Sequence, residues 1–210
     1  MENHPIQALF FGGAFNPPTR AHIDLAAFAL KALGCETVVF TPSKSRYISE
    51  EQGKDFAFSE AERLLMLRSI AANRPWMQVS DYEILADHQP RTYETLCHLR
   101  EEGIPCAMLI GSDKLKELAG GWLYIPEIAR EFGIVCMARG TDDVRGTIAA
   151  DSYLSGLGIM VIDTPEETRS FSSTAVRRLL SAEKKDFAAL RKMLPEELWD
   201  SLSVCRESEK

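Results

Sequence analysis

"LFFGGAFNPPTRAHIDLAAFAL" occupies residues 9–30, and it sets the reading of the chain. The apolar run Leu9-Phe10-Phe11 stops at Gly12-Gly13. Two prolines follow, then Thr19 and His22, three residues apart, and a stretch of helical periodicity that ends at Gly34. Apolar run, glycine-rich turn and amphipathic segment spell strand, loop and helix, with Gly34 as a natural helix stop. Glycines lack Cβ, so the turn at Gly12 and Gly13 can bring its backbone N–H groups close to a ligand. A helix that starts near Thr19 aims its positive end at the same place, which makes the loop an anion site. Thr19 and His22 fall on one face of the first turn. A histidine there can donate to a phosphate oxygen; the plainer alternative is a residue that caps or packs the helix start.

The same alternation continues outward from this unit. Strand-like runs are expected at Ala8–Phe11, Thr37–Thr41, Met77–Ser80, Ala107–Ile110, Gly133–Met137 and Gly158–Ile162. Several are apolar throughout, which suits parallel strands buried on both faces. Helices are expected over Ala21–Leu33, Ser59–Ala72, Thr92–Glu102, 122–131, 142–154, Ser173–Ser181 and Asp186–Leu202, the last broken near Pro195. Ser59 and Glu62 have capping-box spacing. The pattern predicts an α/β fold: an open, doubly wound, mostly parallel sheet with helices on both faces. The 210 residues fit one domain, 1–210, with a short helical part at about 182–210. Residues 43–58, "SKSRYISEEQGKDFAF", are long and polar for a loop, and suit a lid, a binding loop or a solvated insertion.

Composition narrows the function. A net charge of -7 argues against nucleic-acid or anionic-membrane partners. No apolar run approaches the roughly 20 residues that cross a bilayer, and the first residues lack a signal-peptide pattern. Five cysteines without a CxxC pair suggest reduced, mostly buried thiols in a cytoplasmic protein. Neither GxGxxG nor GxxxxGK[ST] occurs, so the dinucleotide fingerprint of NAD-dependent oxidoreductases and the P-loop are both absent.

Four segments carry a resemblance. "GGAFNPPTRAH" resembles the GxFxPx(H/T)xGH signature of the nucleotidyltransferase superfamily that includes nicotinate and nicotinamide mononucleotide adenylyltransferases. "MLIGSDKLKEL" with downstream Trp122 is similar to the IGxD segment and tryptophan of the bacterial nicotinate-nucleotide enzymes. "SFSSTAVRRLL" is similar to their ISSTxIR segment, with Ser172, Ser173, Thr174 and Arg177 in register, and "PRTYETL" to their SYTxxTL stretch. The four stand in the family's order and span about Leu9 to Leu180.

The resemblance implies a Rossmann-like nucleotidyltransferase that uses ATP and a pyridine mononucleotide to make an NAD-type dinucleotide and pyrophosphate. It implies catalytic roles for His22, Thr19 and Arg177, and ATP or phosphate binding by Gly12, Gly13, Ala14, Phe15, Ser172, Ser173 and Thr174; Lys44 and Arg46 are added as phosphate-binding candidates on their charge. It implies mononucleotide binding by Thr92, Gly111, Asp113 and Trp122; Arg91, where the family often has tyrosine, is added on its charge and its place beside Thr92. Of these, Thr92 and Asp113 could equally be helix caps, Trp122 core, and Arg91 a solvent-facing side chain. Mg2+ is implied through ATP phosphates and water, with no protein metal cage; the state of association, including a homo-oligomer, stays open.

Three departures bear on substrate. Thr19 stands where nicotinate enzymes carry a histidine, as in the phosphopantetheine adenylyltransferases, and it cannot carry charge. Ala21 replaces a glycine, and Lys44, Arg46 and Lys54 stand in for a missing PPHK-type segment. An acceptor such as phosphopantetheine, and a nucleotide-binding protein that has lost catalysis, are therefore the alternatives.

Overall fold

The computed structural model describes residues 6–45, 58–139, 142–164 and 171–202. Among these, six parallel strands form one sheet in the order β3-β2-β1-β4-β5-β6. They are β1 (Ala8–Gly13), β2 (Thr37–Pro42), β3 (Met77–Val79), β4 (Cys106–Gly111), β5 (Ile134–Arg139) and β6 (Met160–Thr164). The expected fold class is the one observed. The order reverses between β1 and β4, and this is where an open α/β sheet forms a ligand crevice at its carboxyl edge.

Strand alternation builds two cores. Leu9 and Phe11 of β1 join Val38, Phe40, Ala107, Leu109, Val135 and Met137 on one face. Ala8 and Phe10 join Val39, Cys106, Met108, Ile110, Ile134 and Cys136 on the other. With both faces buried, the strands read as unbroken apolar runs rather than as alternating ones. On the first face lie α1 (Arg20–Leu33), α2 (Glu60–Ala71) and the C-terminal α9 (Ser173–Ser181) and α10 (Phe187–Met193). The second is covered by α4 (Thr92–Glu101), α5 (Leu115–Ala119), α6 (Ile125–Glu131), α7 (Val144–Ala150) and α8 (Ser152–Gly156). A short helix, α3 (Tyr82–Leu85), follows β3.

Where boundaries depart from the periodicity, local chemistry explains it. Helix 142–154 is two helices, because extended Asp151 accepts from the N–H groups of Tyr153 and Leu154 and caps a new start. Helix 122–131 begins only at Ile125, because Tyr124 adopts φ 64. The helix expected to start at Asp186 uses that residue as its cap, stops at Met193, and gives way to a single tight turn at Glu196–Leu198 beyond Pro195. Helices α3 and α5 are too short for any periodicity to reveal. Most of segment 43–58 lies outside the described residues.

The capping box on α2 is present: Ser59 Oγ accepts from Glu62 N–H, and the Glu62 carboxylate accepts from Ser59 N–H at 2.7 Å. Ser59→Ala should lower stability by about 1 kcal/mol, read as a shifted urea midpoint with unchanged m-value. No shift would mean that packing alone fixes the start of α2.

Candidate active site

The site grows from the carboxyl ends of β1 and β2 and the starts of α1 and α9. At Gly12 a Cβ would come within 2.7 Å of the Phe10 ring, so any other residue there would have to push that buried ring aside. The loop after Gly13 carries Phe15 with φ 44, a left-handed conformation that is rare outside glycine. Phe15, Phe11 and Phe40 pack edge to face or tilted, with ring centroids 5.4–5.6 Å apart. The His22 imidazole stands 5.3 Å from the Phe15 ring.

Thr19 is the N-cap of α1, and His22 is its third residue. The Thr19 N–H donates to His22 Nδ1 at 3.0 Å, and Thr19 Oγ1 lies 2.7 Å from the same nitrogen. A backbone N–H can only donate, so Nδ1 holds a lone pair and the ring proton belongs on Nε2. The helix start thus fixes both the tautomer and the direction of the ring.

Three hydrogen bonds join this loop to the start of α9, between residues 152 to 161 apart in sequence. Thr19 Oγ1 shares its single proton between His22 Nδ1 and Phe171 O, the latter at 3.3 Å, and Ser173 Oγ donates to Pro17 O at 2.8 Å. Arg177 Nη1 donates to Asn16 O at 2.8 Å, while its Nη2 reaches Thr174 Oγ1 at 3.4 Å. Ser172 caps α9 by accepting from Ala175 N–H. Two helix starts, Gly12, Gly13 and His22 therefore share one edge of the sheet.

Beside them lies a cavity of about 390 Å³ at the β1/β4 switch point. Gly12, Gly13 and Ala14 form one wall, and Gln89, Pro90, Arg91, Thr92 and Trp122 form the other. Of the residues expected at the mononucleotide site, Arg91, Thr92 and Trp122 line the cavity. Gly111 and Asp113 do not line it but stand between two that do, Ile110 and Lys114. Thr92 opens α4, with Arg91 as N-cap.

Lys44 Nζ donates to Ile84 O at 2.9 Å and its N–H donates to Gln89 Oε1, which ties the exit of β2 to the cavity wall. Arg46 and Lys54 lie outside the described residues.

Two buried charged side chains escaped the sequence reading. Arg63 is fully buried and donates to Ala14 O, Ser43 O and Ser45 Oγ. Its spacing with Met66, Leu67 and Ile70 puts it on the apolar stripe of α2, and an arginine on such a stripe was the available signal. Burial pushes its pKa down to about 10, opposed by nearby Glu60. Glu83, also buried, accepts from Gln89 Nε2 and Thr95 Oγ1 at 3.0 Å and from the Ser43 side chain. Burial raises its pKa against those three hydrogen bonds. No local pattern marks Glu83.

The model of the cytidylyltransferase-like family matches residues 10–179. The chain belongs to the cytidylyltransferase-like family. A probable nicotinate-nucleotide adenylyltransferase of Endomicrobium trichonymphae is 30% identical over 195 residues, covering 90% of this chain and 92% of that protein. The nicotinamide/nicotinic acid mononucleotide adenylyltransferase of Arabidopsis thaliana is 25% identical over 185 residues, covering 80% and 77%. Among solved structures, the Plasmodium falciparum nicotinic acid mononucleotide adenylyltransferase complexed with NaAD superposes with TM-score 0.68 at 17% identity, over 95% of this chain and 97% of that one. The same enzyme complexed with APC gives 0.69 at 16%, with the same coverage. At that identity the likeness is one of fold.

In this cytidylyltransferase-like chain the Thr19 backbone N–H is by itself enough to require the lone pair on His22 Nδ1. Nitrogen NMR should find Nδ1 unprotonated and Nε2 protonated in neutral His22, and Thr19→Val should leave this unchanged. A proton on Nδ1 would contradict the geometry.

Proposed function

We propose that the protein is a nucleotidyltransferase that moves AMP from ATP to nicotinate mononucleotide, giving the NAD-type dinucleotide and pyrophosphate. The observation that carries this reading is the stitched pair of helix starts with His22 Nε2–H oriented beside a cavity of mononucleotide size. Two polyanions must be brought together, and the site offers hydrogen-bond donors rather than a general base. None is needed, because the attacking group is already a phosphate.

A phosphate oxygen of the mononucleotide attacks the α-phosphorus of ATP. A new P–O bond forms, the bond to the bridging oxygen of the β-phosphate breaks, and pyrophosphate leaves with the electron pair. His22 Nε2–H donates to the α-phosphate. Backbone N–H groups at Gly12, Gly13, Ala14 and Phe15, with the start of α1, meet the charge that develops there. Ser172, Ser173 and Thr174 open α9 toward the leaving pyrophosphate. Arg177 spends one arm on Asn16 O and offers its remaining donors to it. Thr19 acts through its cap, holding His22 and the Phe171 carbonyl.

On the acceptor side, Trp122 stacks on the pyridine ring, the N–H groups near Thr92 meet its substituent, and Gly111 and Asp113 approach the ribose. Among the described residues no cluster of three or more His, Cys, Asp or Glu stands ready to ligate a metal. A site built of donors fits Mg2+ that would be held by the ATP phosphates and water and would neutralise charge on the triphosphate. No helix among the described residues is long and apolar enough to cross a membrane, and four cysteines are free thiols, which suits work in the cytoplasm.

The test supplies ATP and Mg2+ with nicotinate mononucleotide, nicotinamide mononucleotide or phosphopantetheine and follows pyrophosphate. Release with nicotinate mononucleotide is expected; release only with phosphopantetheine, or none, would overturn the reading. His22→Ala should lower kcat by about 100-fold or more, the scale for losing one donor to developing charge. Arg91 is placed to meet the nicotinate carboxylate. Arg91→Ala should cut the nicotinate-over-nicotinamide ratio of kcat/KM by about tenfold, the scale of one charge-assisted hydrogen bond, and an unchanged ratio would show that Arg91 faces solvent.

A further inference from the structure

The loop between β1 and α1 has to solve a mechanical problem. Its backbone is bent through Phe15 at φ 44, while the neighbouring residues keep ordinary negative φ. A bulky L-residue in that region carries strain of about 1–3 kcal/mol and persists only where its surroundings enforce it. Packing of the Phe15 ring against Phe11, Phe40 and His22 fixes the side chain. It leaves the peptide before it to be held by something else.

Arg63 is the group that reaches that peptide. Its Nη1 donates to Ala14 O at 2.6 Å, and its Nη2 donates to Ser43 O at 2.8 Å and Ser45 Oγ at 3.2 Å. The rigid guanidinium fork spans two segments, the loop after β1 and the exit of β2. The same exit is held from the other side by Glu60, which accepts from Ser45 N–H at 2.6 Å, and by Ser43 N–H donating to Gly13 O at 3.0 Å. In a planar trans peptide the carbonyl and the following N–H point in opposite directions. Drawing the Ala14 carbonyl inward onto Arg63 therefore turns the Phe15 N–H outward. A positive-φ residue next to a negative-φ one curls successive N–H groups into the kind of concavity that binds anions.

We propose that Arg63 is a positioning residue for the transfer reaction: from beneath the loop it holds the Ala14–Phe15 peptide so that the loop's N–H groups meet the phosphates of ATP. Arg63 is fully buried and touches no substrate, so it acts only through the loop. Lysine at this position keeps the charge but, as a point donor, cannot span both carbonyls as the fork does. The proposal rests on the adenylyltransferase reading for its ligand, ATP.

The experiment compares wild type, Arg63→Lys and Ile70→Val, the last a control that loosens the same helix face without touching the loop. Each is measured for unfolding midpoint, for binding of Mg-ATP alone by calorimetry, and for kcat and both KM values. Arg63→Lys should bind ATP about tenfold more weakly and lose about 100-fold in kcat, the scale for displacing a reacting group by about 1 Å. Its KM for the mononucleotide should stay within about threefold, as should every parameter of Ile70→Val. A folded Arg63→Lys that keeps ATP affinity and kcat, or an Ile70→Val that loses as much, would overturn the proposal. Should Arg63→Lys not fold, the wild-type Phe15 amide decides: its proton resonance should move downfield on adding Mg-ATP, and an unmoved resonance sinks the idea. Wild type that binds ATP but forms no dinucleotide fails the adenylyltransferase reading, while the ATP affinities still decide the role of Arg63.

Discussion

Three hydrogen bonds between the loop after β1 and the start of α9 make one site out of two distant segments. Thr19 to Phe171, Ser173 to Pro17 and Arg177 to Asn16 all end on backbone carbonyls. Carbonyl acceptors fix the path of the chain, so each bond sets where a helix start points. Without them, two sets of unpaired N–H groups and the His22 ring would have no common target. The parallel sheet supplies the frame, because every strand delivers its loop to the same edge.

The frame has a second requirement, which concerns charge. Burying ionisable side chains is costly unless they are well hydrogen-bonded, and this chain buries two of them, Arg63 and Glu83, against Ser43. Arg63 holds the Ser43 carbonyl and the loop after β1; Glu83 holds the Ser43 side chain, Gln89 of the cavity wall and Thr95. Removing either partner from such an arrangement leaves buried polar groups unsatisfied, a larger penalty than the bonds themselves are worth. The loop after β1 and the cavity wall are thus anchored to one short segment at the end of β2.

Much of the architecture was legible because it is local. Apolar runs without alternation announced buried parallel strands, Ser59 and Glu62 announced a helix start, and Gly34 its end. The resemblance singled out Thr92 and Trp122, and charge singled out Arg91; all three line the cavity. What could not be read is which side chain faces which carbonyl across 152 residues or more, since no local pattern encodes it. The same holds for Lys44, whose Nζ sits on Ile84 O, 40 residues away in sequence. Arg63 could have been suspected from its place on an apolar stripe, whereas Glu83 is an acid in a four-residue helix too short to show a face.

On the proposed reading, the loop after β1 and the start of α9 together present the α-phosphorus of ATP to an incoming phosphate. The most direct measurement follows label from ATP in parallel reactions with nicotinate mononucleotide, one with phosphorus label at the α position and one at the γ position. The account requires the α label to appear in the dinucleotide and the γ label in pyrophosphate. Transfer of γ label to the acceptor, or α label that stays in ADP or free AMP with no dinucleotide formed, would contradict it.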